Sequence, residues 1–310
     1  MKHIFIDGSA GTTGLRIRER LAAREDLALI TLPEEKRKDP AARHAALNGC
    51  DIAFLCLPDD AAREAVGMIE NPDVVVLDTS TAHRTAPGWA YGFAELSPAH
   101  RRAIETGKRI AVPGCHASGF IALVAPLVAA GLLKKDALLC CTSVTGYSGG
   151  GKKMIAEYEA SERSGLLGAP RQYGLSQQHK HLKEVQAVTG LACAPCFSPI
   201  VADFYSGMAV SVPVFAEQLA PNVGVQTLRE FFADFYQGPI VRFCEEPDEG
   251  GFFSAAALSG KDSMQVGVFG NDARILLCAR YDNLGKGASG AAIACMNLSM
   301  GADPVTGLLL

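Results

Sequence analysis

The sequence predicts an α/β chain in two parts: a doubly wound domain with a parallel sheet, then an α+β domain built on a mixed sheet. Three observations carry this. The N-terminal third alternates short, continuously apolar runs with amphipathic stretches, the pattern of strands that helices cover on both faces. After Arg109 the alternation stops and longer β-branched runs take over. The length, 310 residues, exceeds the size at which a single hydrophobic core usually stops growing.

The elements follow in order. HIFID reads as the first strand, with a helix from about Thr13 to Arg24 and LALITL as the second strand. A short helix near Pro40 to Leu47, the strand DIAFLCLP, a helix from about Asp60 to Ile69 and the strand VVVLDTS complete the alternating series. RIAVPGCHASGFIALVAPLVAAGLL reads as a strand, a tight turn and a helix from about Ala117 to Ala130. Beyond it, ALLCCTSVTGYS, YSGMAVSVPVF, SMQVGVFG and ARILLCARYD predict a mixed or antiparallel sheet, with helices near Lys152 to Ser164 and Gln226 to Tyr236. The tail DNLGKGASGAAIACMNLSMG has small residues spaced for close helix packing and is expected to return to the first domain.

Composition narrows the function classes. With 48% hydrophobic and 20% charged residues, the chain can bury enough apolar surface to fold throughout. A net charge of -4, with Lys and Arg dispersed apart from Lys36-Arg37-Lys38, gives no nucleic-acid footprint. No run approaches a membrane span, and the N-terminus lacks the layout of a signal peptide, so the expected location is the cytoplasm. Ten cysteines lie mostly in apolar runs, which argues for buried reduced thiols rather than a disulfide framework. Cys193 and Cys196 form a CxxC, which could mark a redox pair or half of a zinc site, but no second pair accompanies it, so packing or chance spacing is expected there.

The first chemical signal is Gly8, Gly11 and Gly14, a G-x-x-G-x-x-G that closes a strand and opens a helix. Such a turn lets backbone approach a pyrophosphate, whose charge then sits at the positive helix end, with the Thr12 and Thr13 hydroxyls as donors. This makes the first domain a dinucleotide-binding, Rossmann-like one, assigned to residues 1–114 and about 284–310; about 115–283 form the catalytic domain. At the end of the second strand, Lys36, Arg37 and Lys38 can meet a 2'-phosphate, favouring NADP(H), with a solvated charged loop as the alternative.

The second signal is Pro113-Gly114-Cys115-His116-Ala117-Ser118-Gly119. A thiol at a strand-to-helix turn sees the positive end of the helix dipole, which favours thiolate, and the unsatisfied N–H groups there can bind an oxyanion. Cys115 is therefore the candidate nucleophile, against a buried structural thiol. His179 and His181, with Glu184 close by in sequence, are the candidate acid/base set, and Glu184 is also a candidate for substrate binding. Ser80 and Arg84, after the strand VVVLDTS, and Ser148, Lys152 and Lys153, in GYSGGGKK, are candidates for anion binding, the latter stretch offering bare amides and two cations. Flexible, solvated loops are the alternative.

Read together, DGSAGTTGLRI, LCLPDDAAREAV, DTSTAHR, YGFAEL, PGCHASG, TGYSGGGKK, HKHLKE and DNLGKGASGAAIACMNL resemble the shorter form of the N-acetyl-γ-glutamyl-phosphate reductases, relatives of the aspartate-semialdehyde dehydrogenases. The resemblance implies NADPH-dependent reduction of a small acyl phosphate, N-acetyl-γ-glutamyl phosphate, to the semialdehyde, within arginine biosynthesis. It places the nucleophile on Cys115 and the acid/base on His179 or His181, leaving open which. The longer form's substrate arginine has no counterpart in FSPIVADFYSGMAV, so anchoring would fall on Arg84, Lys152 or Lys153. A homodimer or homotetramer is expected. The competing readings are another acyl phosphate, such as aspartyl phosphate, and a non-catalytic NADP-binding redox sensor.

Overall fold

A computed structural model describes residues 1–310. They divide into two compact units: Met1–Pro113 with Ala288–Leu308, and Gly114–Gly287 with Leu309–Leu310. The first unit runs β1 (Lys2–Asp7), α1 (Thr12–Leu21), β2 (Leu27–Ile30), α2 (Pro40–Gly49), β3 (Ile52–Leu55), α3 (Asp59–Gly67), β4 (Val75–Asp78), β5 (Ala90–Tyr91), α4 (Pro98–Thr106) and β6 (Arg109–Ala111). Its six strands are all parallel, in the order β2-β1-β3-β4-β6-β5. Alternate residues of β1 explain the double winding. Ile4 and Ile6 join Ile17, Leu21 and Phe54 in one apolar core, while Phe5 points the other way into a second with Leu47 and Leu55. Two helix starts are written locally: Asp39 accepts from Ala42 N and Ser97 from His100 N, each followed by a proline at the first helical position.

The second unit contains α5 (Cys115–Ala129), β7 (Cys140–Gly146), α6 (Gly151–Tyr158), β8 (Arg171–Gln172), α7 (His181–Thr189), β9 (Cys196–Ala202), β10 (Met208–Phe215), α8 (Val225–Phe235), β11 (Val241–Phe243), β12 (Met264–Asn271) and β13 (Arg274–Tyr281). Seven strands form a mixed sheet in the order β11-β12-β13-β10-β7-β9-β8. Period-two alternation along β7 sends Cys141 and Ser143 inward and leaves Cys140 and Thr142 exposed. Helices α5 and α8 pack on the inward face, where Tyr236 donates to Ala122 O of α5. On the other face Phe215 and Leu276 stay exposed, with Pro213 beside Leu276 in register.

After β13 the chain passes through a π-helical turn at Gly285–Ser289 into α9 (Gly290–Ser299). Helix α9 is apolar all round and lies in the first unit's core, where Ala292, Ile293 and Met296 pack with Ile17 and Leu77. No helix is long and apolar enough to cross a membrane. Two expectations need correction. Helix α5 begins at Cys115 rather than Ala117, and α6 stops at Tyr158 rather than Ser164, because Ser164 instead caps a separate short 3-10 turn. Helices α4 and α7 carry too short a periodic pattern to have been read from the sequence.

Candidate active site

Within the first unit, the glycine turn is held tightly. Gly8 has φ of 85°, and a Cβ there would stand 2.2 Å from Cys56 O, so only glycine fits. A Cβ on Gly14 would meet Gly8 O at 2.5 Å, so this glycine lets α1 pack onto the turn. Gly11 donates to Gly8 O and caps α1 without a side chain, and Thr12 and Thr13 open the helix. Beside this turn lies a pocket of about 370 Å³ lined by Gly8, Ser9, Ile30, Leu32, Arg37 and Lys38, and also by Arg18. Lys36 is exposed and does not line it. Arg18 was not anticipated, since in sequence it looks like one of several solvated arginines on α1. A glycine-built cradle with three cations at its rim suits a phosphorylated dinucleotide. The pocket floor holds Asp7, bonded by Arg43 at 2.9 and 3.1 Å; burial outweighs that pairing and lifts the Asp7 carboxyl above its ordinary value.

Ser80 lies away from this pocket. Its amide and hydroxyl donate to the two oxygens of Asp78, a fully buried carboxylate that also meets His83 Nδ1 at 2.6 Å. His83 stacks on Trp89. Arg84 spends Nε on Val112 O and Nη2 on Thr79 O, so it pins the loop after β4.

In the second unit Gly114, extended at φ −74° and ψ 147°, caps α5, and Cys115 is the first helical residue. The Gly114 N–H donates to Glu184 Oε1 at 2.8 Å. Glu184 is 2% exposed and sits one turn after His181, itself the first residue of α7. Its carboxylate thus ties the loop that carries the candidate nucleophile to the helix that carries a candidate base.

Three imidazoles converge around His116, the residue that follows Cys115. The His116 ring lies 5.9 Å from His179 and 5.8 Å from His181, and those two are 4.7 Å apart, with Phe197 against His116 and His179. Burial, reinforced by His179, pushes His116 down to about 3, so it is neutral at any working pH. It bridges Ser143 Oγ at 2.7 Å and Tyr173 Oη at 2.6 Å, donating one bond and accepting the other. Burial lifts the Tyr173 phenol, which stays protonated. His179 is also held below its ordinary value, by burial and then by Lys180, and its Nδ1 accepts from His181 N at 3.3 Å. A neutral His179 therefore carries its proton on Nε2.

The loop before α6 is not the bare cradle expected. The N–H groups of Gly146, Tyr147 and Ser148 donate to Gly207 O, Phe204 O and Tyr205 O, and Ser148 Oγ accepts from Asn283 Nδ2. Lys152 and Lys153 are exposed in the first turn of α6. Cys193 and Cys196 are exposed, with Cys196 aligned to Cys140 across the β7–β9 pair. Sequence reading missed Ser143, Tyr173 and Tyr281; each sits in an apolar or loop run with no local chemical signal.

Residues 3–104 match the family model described as semialdehyde dehydrogenase, NAD binding domain, and residues 115–283 that described as semialdehyde dehydrogenase, dimerisation domain. An N-acetyl-gamma-glutamyl-phosphate reductase of Sinorhizobium medicae (strain WSM419) is 46% identical over 306 residues, covering 96% of this chain and 99% of its own. One of Burkholderia cenocepacia is 43% identical over 305 residues, covering 97% of each. Among solved structures, aspartate semialdehyde dehydrogenase II of Vibrio cholerae complexed with ASA superposes with a TM-score of 0.72 at 18% identity over 97% of this chain and 98% of that one. The Francisella tularensis aspartate semialdehyde dehydrogenase gives 0.73 at 13%, over 96% and 99%. The structural likeness establishes the fold, and the sequence identity over nearly the whole length establishes the family: the chain belongs to the N-acetyl-γ-glutamyl-phosphate reductases of the semialdehyde dehydrogenase superfamily.

Proposed function

We propose that the protein reduces N-acetyl-γ-glutamyl phosphate to N-acetylglutamate 5-semialdehyde and phosphate with NADPH, through a thioester on Cys115, as a step of arginine biosynthesis. The observation that carries this reading is Cys115 as the first residue of α5 in a unit where three histidines converge, in a chain with close relatives of that name.

The chain's residues divide the work. Gly8, Gly11 and Gly14, with Thr12 and Thr13, form the pyrophosphate turn, and Arg37, Lys38 and Arg18 favour a 2'-phosphate. The nicotinamide, when bound, supplies the hydride. His181 takes the Cys115 proton, because His179 has Nδ1 committed to an amide and Nε2 already protonated. The Cys115 thiolate attacks the acyl carbon, the C–O bond to phosphate breaks, and phosphate leaves. Once the thioester is reduced, the tetrahedral oxyanion collapses, the C–S bond breaks, the aldehyde leaves, and His181 returns its proton to sulfur. The N–H groups at the start of α5 stabilise both oxyanions. Lys152 and Lys153 supply positive charge for the substrate's anionic groups.

A cytoplasmic location agrees with ten free cysteines. A homodimer agrees with the open sheet face at Pro213, Phe215 and Leu276, within the segment matched by a dimerisation-domain model.

The test is phosphate-dependent reduction of NADP with N-acetylglutamate semialdehyde, for wild type and Cys115→Ala. Wild-type turnover lost in the variant, with cofactor binding intact, is expected. Turnover with aspartate semialdehyde but not the acetylglutamyl compound would overturn the substrate assignment, and activity surviving in the variant would overturn the covalent route.

A further inference from the structure

Tyr281 ends β13 and is fully buried, paired in register with Met208 and Met264. Its hydroxyl leaves the sheet and reaches the first turn of α5. There it donates to Cys115 O at 2.5 Å and accepts from Gly119 N at 3.0 Å. These are the two groups that an α-helix itself links, carbonyl i to amide i+4, so the phenol clips the turn from outside. Gly119 is the residue that admits it: a Cβ there would stand 2.8 Å from Tyr281 Oη, 2.9 Å from its Cε1 and 2.6 Å from Val210 Cγ2. This accounts for the last glycine of PGCHASG, which the pyrophosphate and nucleophile arguments left unexplained. Burial raises the Tyr281 phenol well above its ordinary value, so it remains a donor at every working pH.

The bond matters because of the peptide it lands on. Cys115 C=O and His116 N–H belong to one peptide group, and a hydrogen bond to the carbonyl strengthens the N–H as a donor. His116 N–H lies in the first turn of α5, where amides lack intrahelical acceptors and aim out of the helix end. We propose that Tyr281 is a positioning residue for the reaction: with Gly119 making room, it fixes and polarises the Cys115–His116 peptide so that His116 N–H binds the oxyanion formed at the acyl carbon. This rests on the assignment of Cys115 as nucleophile.

The experiment compares two reactions of the same sulfur in the full-length protein. Phosphate release from the acyl phosphate passes through an oxyanion, whereas alkylation by iodoacetamide forms none. For Tyr281→Phe and for Gly119→Ala, single-turnover phosphate release should fall roughly tenfold or more, short of the loss on deleting an oxyanion donor. KM for the acyl phosphate, the alkylation rate and its pH profile should each stay within about twofold of wild type. Release within about twofold of wild type in either folded variant overturns the proposal. So does an equal fall in release and alkylation, and so does failure of both variants to fold, which marks a purely structural clip. If iodoacetamide labels Cys115 in the wild type without stopping turnover, the nucleophile assignment itself has failed, a result separate from these.

Discussion

Replacing Arg37 with alanine tests the nucleotide pocket directly. Arg37 is half-buried, while Lys38 and Arg18 are exposed, so Arg37 is the least solvent-screened of the three cations. A 2'-phosphate carries close to two negative charges near neutral pH, and a hydrogen bond to a charged group contributes about 1.5–3 kcal/mol. Taking about 2 kcal/mol after screening, the loss corresponds to roughly thirtyfold in affinity. NADH lacks that phosphate and should lose no more than about twofold. Steady-state kinetics with each cofactor separates the cases: KM for NADPH should rise by that factor with kcat nearly constant, and added salt should narrow the gap between variant and wild type. Equal losses with NADPH and NADH would refute the reasoning, because they would place Arg37 in the packing of the pocket. An unchanged KM for NADPH would remove it from the pocket's chemistry altogether.

Three further outcomes are expected. Glu184→Ala leaves the buried Gly114 N–H without its acceptor, so stability should fall by about 1–3 kcal/mol, and Glu184→Gln, which keeps an acceptor, should recover most of it in denaturant titrations. His116 titrates near 3 when folded against an ordinary 6.5, so the unfolded chain binds the proton first. Its contribution to stability is therefore complete above about 6.5 and is lost as pH falls, by up to ~1.4 kcal/mol per unit. His116→Asn should flatten that slope, and an unchanged slope would show that other groups set it. Leu276→Glu, on the open sheet face, should shift the protein toward monomer in sedimentation velocity; an unaltered distribution would exclude this face as the contact between copies.

What could be read in advance was local. The glycine turn declares itself because Gly8, Gly11 and Gly14 are contiguous with the strand they close, and Cys115 because its helix follows at once. What could not be read depends on residues far apart in the chain. Tyr281 lies in a run whose only evident property is strand alternation, and its meaning appears when β13 brings it beneath Cys115, 166 positions away. Ser148 looked available because nothing nearby announces that Phe204, Tyr205 and Gly207 take the amides of its loop. Glu184 carries the same lesson. Its charge and its place in HKHLKE offer it to a substrate, and nothing in that run announces the bond it accepts from Gly114 N–H, 70 positions away. The choice between His179 and His181 is closed to sequence reading for a related reason, since the bond from His181 N to His179 Nδ1 that bears on it exists only in the folded turn.

The bond between Glu184 and Gly114 N–H has a consequence for the order of events. It lies wholly inside the second unit, as do Cys115, His179 and His181. On the proposed assignment, the nucleophile and its base both belong to the second unit. Acyl capture then has its own clock. Supplied with acyl phosphate alone, the enzyme should release a stoichiometric pulse of phosphate and wait, loaded, for the reductant, and any water reaching sulfur during that wait sets an upper limit on how faithfully activated substrate is converted to aldehyde.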